Sequence, residues 1–315
     1  MRPLKIGTRG SALAMWQART VAALIERQGR RAEIAIIKTG GDRLQERPLS
    51  EVGGKRLFVK EIEDALLARD IDIAVHSAKD MSALLPDGLA IAAVLPREDP
   101  RDALVLGGSA PVVDFNAALD HLGEMPSIGT GSVRRIAQLA VVLPHATFAP
   151  IRGNVDTRLR KLDSGEYEAL VLAAAGLRRL GLGGRISAAI PTEVSIPAPG
   201  QGIVAIEIRE DNARAREVVS AANDADAAAA LLAERAVVAA LGGGCQLPLG
   251  AIAIHDGPRL VLHAVVATPD GRRVVRREAA GTPEHAAALG AHVAAELSRA
   301  GADEILDLVR SGTNS

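Results

Sequence analysis

The chain has 315 residues, of which 48% are hydrophobic and 24% charged, an ordinary globular composition that excludes disorder or low complexity as its main character. Lys plus Arg number 37 against 38 Asp plus Glu, a net charge of −1, and aromatics are only 2%. Neither a polycation for nucleic acid or anionic membrane nor a base-stacking platform is expected. At roughly 150 residues per domain the length suggests two domains, or three small ones. The single cysteine, Cys245, excludes an internal disulfide and a Cys-rich zinc site, and no other metal-ligand cluster is visible. With no signal-peptide pattern near Met1 and no long apolar span, the reading is a cytoplasmic protein.

The first half alternates strand and helix. Leu4–Thr8 reads as a strand, Ser11 as a helix N-cap, and Ala12–Gln28 as a helix stopped by Gly29. Ala32–Thr39 is a second strand, and Gly40–Lys55 a long Gly- and charge-rich loop of the kind that acts as a lid. A helix over Phe58–Arg69 leads to a buried strand at Ile71–Ser77, and Leu89–Leu95 and Asp102–Leu106 are further strands. The pattern then restarts: strands at Ser127–Thr130, Thr147–Arg152 and Ala169–Ala174, with helices at Ser132–Leu143 and Val155–Leu162. This predicts two parallel-sheet units with crossover helices. The Pro-rich segment 196–202 reads as a hinge or return crossing before a strand at Ile203–Arg209. Two Ala-rich helices follow, at Ala213–Ala222 and Ala225–Leu241. Runs at Leu249–His255, Arg259–Thr268 and Arg272–Ala280, parted by Asp256-Gly257-Pro258 and Pro269-Asp270-Gly271, form an antiparallel meander. Helices at Glu284–Arg299 and Asp303–Val309 close the chain.

Cations cluster where strands hand over to helices: Arg9, Lys79, Arg134, Arg135, Arg152 and Arg158. In parallel α/β units these strand ends line the ligand crevice, and helix N-termini there favour anions. Arg134 and Arg135, in a first helical turn, oppose the helix dipole, a cost easiest to understand if an anion sits beside them. Guanidiniums suit carboxylates or phosphates; the plain alternative is a set of solvated surface arginines. Asp80, in His76-Ser77-Ala78-Lys79-Asp80, could stabilise a cation or shuttle a proton, or simply cap a helix or pair with Lys79. His76 reads as a strand residue whose ring finds a local partner. Cys245, behind Gly242-Gly243-Gly244, reads as an inert buried thiol or as an exposed, activated one.

Seven segments together resemble the porphobilinogen deaminase (hydroxymethylbilane synthase) family, in its order and spacing. They are Thr8–Ser11 with Trp16–Ala18, Lys55–Glu61, His76–Asp80, Gly129–Arg135, Arg152–Leu159, Pro197–Gly202 and Gly243–Gln246. The resemblance implies a transferase that condenses four porphobilinogen molecules head to tail, with loss of ammonia, into a linear tetrapyrrole. It implies a dipyrromethane cofactor held by a thioether at Cys245, and Asp80 as the catalytic residue. Cofactor contacts would fall to Ser77, Lys79, Asp80, Gly129, Thr130, Ser132, Arg134, Arg135 and Arg158. Substrate contacts would fall to Arg9, Ser11, Lys55, Arg152, Arg179 and Gln201, with Asp42 a further polar position. The implied fold is α/β: two units like type II periplasmic binding proteins flanking a cleft (1–98 with 196–217, and 99–195), plus an α+β domain over 218–315 with a three-stranded antiparallel sheet carrying the cysteine loop. The resemblance implies a monomer, porphobilinogen as its small-molecule partner, and no nucleic acid, membrane or metal. Carboxylate-rich substrates account for the arginines, and a cationic intermediate for the aspartate. Two other classes fit parts of the pattern. A non-enzymatic small-molecule binder would explain the arginines but needs neither Cys245 nor Asp80. A thiol hydrolase using Cys245 lacks a histidine placed by spacing.

Overall fold

The computed structural model describes residues 2–40, 59–108, 114–242 and 247–312. In chain order its first elements are β1 (Leu4–Thr8), α1 (Ala12–Arg27), β2 (Ala32–Ile36), α2 (Lys60–Leu67), β3 (Ile73–Ser77), β4 (Leu89–Val94) and β5 (Asp102–Leu106). Next come α3 (Phe115–Leu119), β6 (Ser127–Gly129), α4 (Val133–Val142), β7 (Thr147–Ala149), α5 (Val155–Asp163), β8 (Ala169–Ala173), α6 (Ala174–Arg179) and β9 (Ala188–Ala189). The rest are β10 (Val204–Arg209), α7 (Ala213–Ser220), α8 (Ala225–Ala240), β11 (Leu249–Asp256), β12 (Arg259–Ala267), β13 (Val274–Gly281), α9 (Ala286–Arg299) and α10 (Ala302–Arg310).

The chain divides into two compact units, 1–98 with 203–228, and 99–202 with 229–315. The first holds a five-stranded sheet in the order β2-β1-β3-β10-β4. One face of it packs Leu4, Ile6, Ile73, Val75, Val204, Ile206 and Ile208 against Ala18, Val21 and Ile25 of α1 and Val218 of α7. The other face packs Ala74 and Leu89 against Ile62 and Leu66 of α2. This is the period-2 alternation of a sheet buried on both sides meeting the apolar stripes of helices.

The second unit holds the sheet β7-β6-β8-β5-β9 and a three-stranded meander, β11-β12-β13. The meander has its own core, in which Leu260, Leu262 and Ala264 meet Val237 of α8, Val293 and Leu297 of α9 and Ile305 of α10. Mixed α/β sheets with a small antiparallel sheet are therefore the architecture, as the sequence predicted.

The expectation of two parallel sheets needs correction. β10 pairs antiparallel with β3 and β4, and β5 pairs antiparallel with β8 and β9. A strand that returns to a sheet after a long excursion, rather than through a local crossover, is free to enter from the opposite end. The helices α3 and α6, short and without a full apolar period, are additional to the sequence reading.

Candidate functional site

In the first unit, β1 and β3 are parallel neighbours, so the turns that follow them emerge side by side. Ser11 follows β1 and caps α1, its hydroxyl accepting from the Ala14 N–H at 3.3 Å. A single turn of 3₁₀ helix, Ala78–Asp80, follows β3. Together these turns build a cavity of about 60 Å³ lined by Arg9, Ser11, Gln17, His76, Ser77 and Asp80, with Leu13, Val59, Ile62 and Val75 as its apolar wall. Gln17 donates to the Ser77 hydroxyl at 2.8 Å. His76 Nε2 lies 3.0 Å from Glu207 Oε2, the local partner expected of it. Asp80 is half-buried, and no described residue caps with or pairs to its carboxylate.

Parallel pairing of β6 with β7 and β8 likewise sets three turns along one sheet edge in the second unit. Thr130 is buried, and its hydroxyl accepts from Ser132 N–H at 3.3 Å. Ser132 caps α4, accepting from Arg135 N–H at 3.4 Å. After β7, Gly153 takes φ +102°, a left-handed turn that glycine adopts freely. Its carbonyl accepts from Arg158 Nε at 2.9 Å. Arg152, just before it, is half-buried. Arg179, in the last turn of α6, donates to the Gly202 carbonyl. Gly129 has a packing reason to be glycine: a Cβ there would lie 2.5 Å from Leu170 Cδ2 and 3.1 Å from the Tyr167 ring.

Arg134 and Arg135 do meet an anion, and it is the protein's own. Asp102, the first residue of β5, is fully buried. It accepts from Arg134 Nη1 at 2.7 Å and Nη2 at 3.1 Å, from Arg135 Nε at 2.9 Å, from the Ser195 hydroxyl at 2.9 Å and from Gln201 Nε2 at 3.0 Å. Arg134 Nη1 also reaches the Ile196 carbonyl at 2.7 Å, and Arg135 Nη1 the Val171 carbonyl at 2.8 Å. Burial on its own would raise the Asp102 carboxyl, but the two guanidiniums and their hydrogen bonds outweigh it and hold it far below the ordinary carboxylate range. The cluster holds two cations against one anion. Gln201 is buried in it, and donates to the Pro100 carbonyl at 2.7 Å as well.

The sequence thus named the Asp80 turn and its neighbours but passed over Asp102, and gave Gln17 no role beyond its place in the Trp16–Ala18 segment. Each carried a signal: a charged residue heading the fully apolar run Ala103–Leu106, and a polar residue beside Ala18 on the buried face of α1. Cys245, Lys55 and Asp42 lie outside the described residues, as does most of the loop Gly40–Lys55.

Residues 4–217 match the family model described as "Porphobilinogen deaminase, dipyromethane cofactor binding domain", and residues 228–299 match that of the porphobilinogen deaminase C-terminal domain. The chain belongs to the porphobilinogen deaminase family. The porphobilinogen deaminases of two Acidithiobacillus ferrooxidans strains, ATCC 53993 and ATCC 23270, are each 49% identical to it over 312 residues, 98% of either chain. Among solved structures, the methionine-binding protein MetQ aligns with TM-score 0.44 and 15% identity, over 70% of this chain and 89% of its own. The Bordetella pertussis BvgS VFT2 domain aligns with TM-score 0.39 and 16% identity, over 70% and 85%.

Membership of this family makes the chain a transferase of tetrapyrrole biosynthesis, a hydroxymethylbilane synthase with a dipyrromethane cofactor. The donor set fits such a group. Its carboxylates match guanidiniums and hydroxyls at strand ends, and its pyrrole N–H groups match an acceptor carboxylate such as Asp80. No helix among the described residues is long and apolar enough to cross a membrane.

Proposed function

We propose that Asp80 is the catalytic residue of a stepwise head-to-tail condensation of four porphobilinogen molecules, each step releasing ammonia, to give hydroxymethylbilane. The observation that carries this reading is the cavity that Asp80 lines together with Arg9, Ser11, Gln17 and Ser77. Asp80 accepts the pyrrole N–H and sets its negative charge against the positive charge that develops on the substrate as ammonia leaves. Cys245 is the covalent anchor. When bound, the dipyrromethane supplies a tethered primer whose free end receives the next unit.

Ser77, Lys79, Thr130, Ser132, Arg134, Arg135 and Arg158, with the Gly129 turn, hold the cofactor. Arg9, Ser11, Lys55, Arg152, Arg179 and Gln201 hold the substrate. The excess positive charge of the Asp102 cluster supports this reading for Arg134 and Arg135, since two guanidiniums share one carboxylate. The hydroxyls of Ser11 and Ser132 accept from backbone N–H groups, a geometry that leaves the O–H of each to donate to a ligand carboxylate. The separate cores of the two five-stranded sheets and of the meander support a division into three domains, 1–98 with 196–217, 99–195 and 218–315. The enzyme works as a cytoplasmic monomer.

Intact mass tests the anchor. The purified protein is expected to exceed its polypeptide mass by one dipyrromethane, and Cys245→Ser to weigh only its amino acids and make no bilane. A wild-type protein of bare polypeptide mass that makes bilane would overturn the assignment.

A further inference from the structure

Gln138 has no part in the reading above, yet it grips the backbone beside the Asp102 cluster at two points. It lies one turn after Arg134 on the same face of α4, and it is buried. Its Oε1 accepts from the Ile196 N–H at 2.8 Å. Its Nε2 donates to the Ile196 carbonyl at 3.0 Å and to the Arg134 carbonyl at 3.4 Å. Ile196 stands in no helix or strand, so no ladder fixes its peptide, and its buried N–H and C=O need partners of another kind. The carboxamide supplies both, as a neighbouring strand would. The meander holds the same stretch as well. The Ala251 N–H on β11 donates to the Pro197 carbonyl at 3.0 Å, and the Ile196 side chain packs with Ile252 and Val265. Gly250 leaves no slack there, since a Cβ on it would lie 2.6 Å from the Ile196 oxygen.

What this grip fixes is an acceptor for Arg134. Asp102 receives five hydrogen bonds, two from Arg134 and one each from Arg135, Ser195 and Gln201. A carboxylate has about four lone-pair sites, so Asp102 is shared to capacity and does not by itself hold Arg134 to one geometry. The Ile196 oxygen, 2.7 Å from Arg134 Nη1, is an acceptor outside that shared carboxylate, with the Ser195 hydroxyl 3.3 Å from the same nitrogen. A segment free to slide would carry both acceptors, and the guanidinium, with it.

We infer that Gln138 is a positioning residue for the cofactor: by fixing the Ile196 peptide it fixes the Arg134 guanidinium, and the meander, through Gly250 and Ala251, is part of the same support. Gln138 acts through the backbone and takes no part in bond making. The inference rests on the reading of Arg134 as a cofactor contact, and its tests separate the two.

Amide hydrogen exchange of the holoenzyme, followed by NMR, reports the grip without reference to activity. The Ile196 N–H is expected to exchange slowly in the wild type. In Gln138→Met, which keeps the side-chain length and removes both hydrogen bonds, it is expected to exchange at least about 100-fold faster, with the amides of β8 unchanged. Intact mass is expected to show the cofactor-loaded fraction of that variant reduced by about twofold or more. Its kcat per loaded molecule is expected to fall about 5-fold, with KM changed less than about twofold. Gly250→Ala, which presses on the Ile196 oxygen from the meander, is expected to lower the loaded fraction in the same way. Leu297→Ala opens a cavity in the meander core and is expected to lower the melting temperature while loaded fraction and kcat stay at wild-type values. A rapidly exchanging Ile196 amide in the wild type overturns the inference, even if Gln138→Met and Gly250→Ala fail to fold. Gln138→Met with wild-type loading and kcat overturns it equally, as does Leu297→Ala with the same defects at equal loss of stability. Arg134→Gln with full loading and kcat overturns the cofactor reading of Arg134 and the inference with it. A defective Arg134→Gln beside an intact Gln138→Met overturns the inference alone.

Discussion

Asp80 and Asp102 are both carboxylates among arginines, and the structure treats them oppositely. Asp80 sits on a turn beyond a strand, half-buried, lining a cavity with no protein cation closed upon it among the described residues. Asp102 heads a strand, fully buried, with two guanidiniums, a hydroxyl and an amide converging on it. The first is available to something that comes and goes. The second organises the protein's own donors. An acidic residue's use follows from how many of its acceptor sites the fold already fills, and not from its charge.

The largest contrast should come from removing each charge in turn. Asp80→Asn is expected to lower kcat by about 10²- to 10³-fold, the scale of losing one preorganised electrostatic contact, while the melting temperature stays within a few degrees. Steady-state bilane formation and calorimetry would show this, and near-normal turnover would erase the distinction between the two aspartates. Asp102→Asn should do the reverse in kind. Breaking a fully buried pair costs about 3–5 kcal/mol, read as a lower denaturant midpoint, because two guanidiniums lose their counter-charge.

Acid sharpens the same comparison. The Asp102 carboxyl is depressed in the folded protein, so its contribution is complete above the unfolded carboxylate value of about 3.9 and drains away as pH falls toward the folded value. The stability gap between wild type and Asp102→Asn should be flat from about pH 5 to 8 and shrink below about pH 4. A gap independent of pH down to 2 would mean that the pairing charge is not what matters there.

The smallest effect concerns a residue whose place in a motif reads as ligand contact. Gly129→Ala is expected to destabilise by about 1–3 kcal/mol, because its Cβ would press on the fully buried Leu170, with cofactor mass retained in the folded fraction. Loss of the cofactor with stability unchanged would mean that Gly129 touches the ligand itself and does not act only through the packing of its turn.

Much of the Asp80 site was legible because its signals are local. A run such as Ile73–Ser77 declares a buried strand, and its end declares where Lys79 and Asp80 emerge. The caps Ser11 and Ser132 declare themselves one residue before an apolar period. What was not legible depends on partners distant in sequence. Asp102 meets Arg134 and Gln201 only after three strands are in place, and nothing in Val204–Arg209 states that it runs against β3. Strand direction is a property of the path between strands, which no local periodicity records.

The position of β10 bears on how the chain is born. β3 and β4 have no edge in common until β10 slots between them, and β10 is translated only after the entire second sheet. An amino-terminal fragment still on the ribosome carries two raw hydrogen-bonding borders facing water, an invitation to stray strands. Closure of that sheet must wait for its last-made member, whatever the speed of its earlier parts.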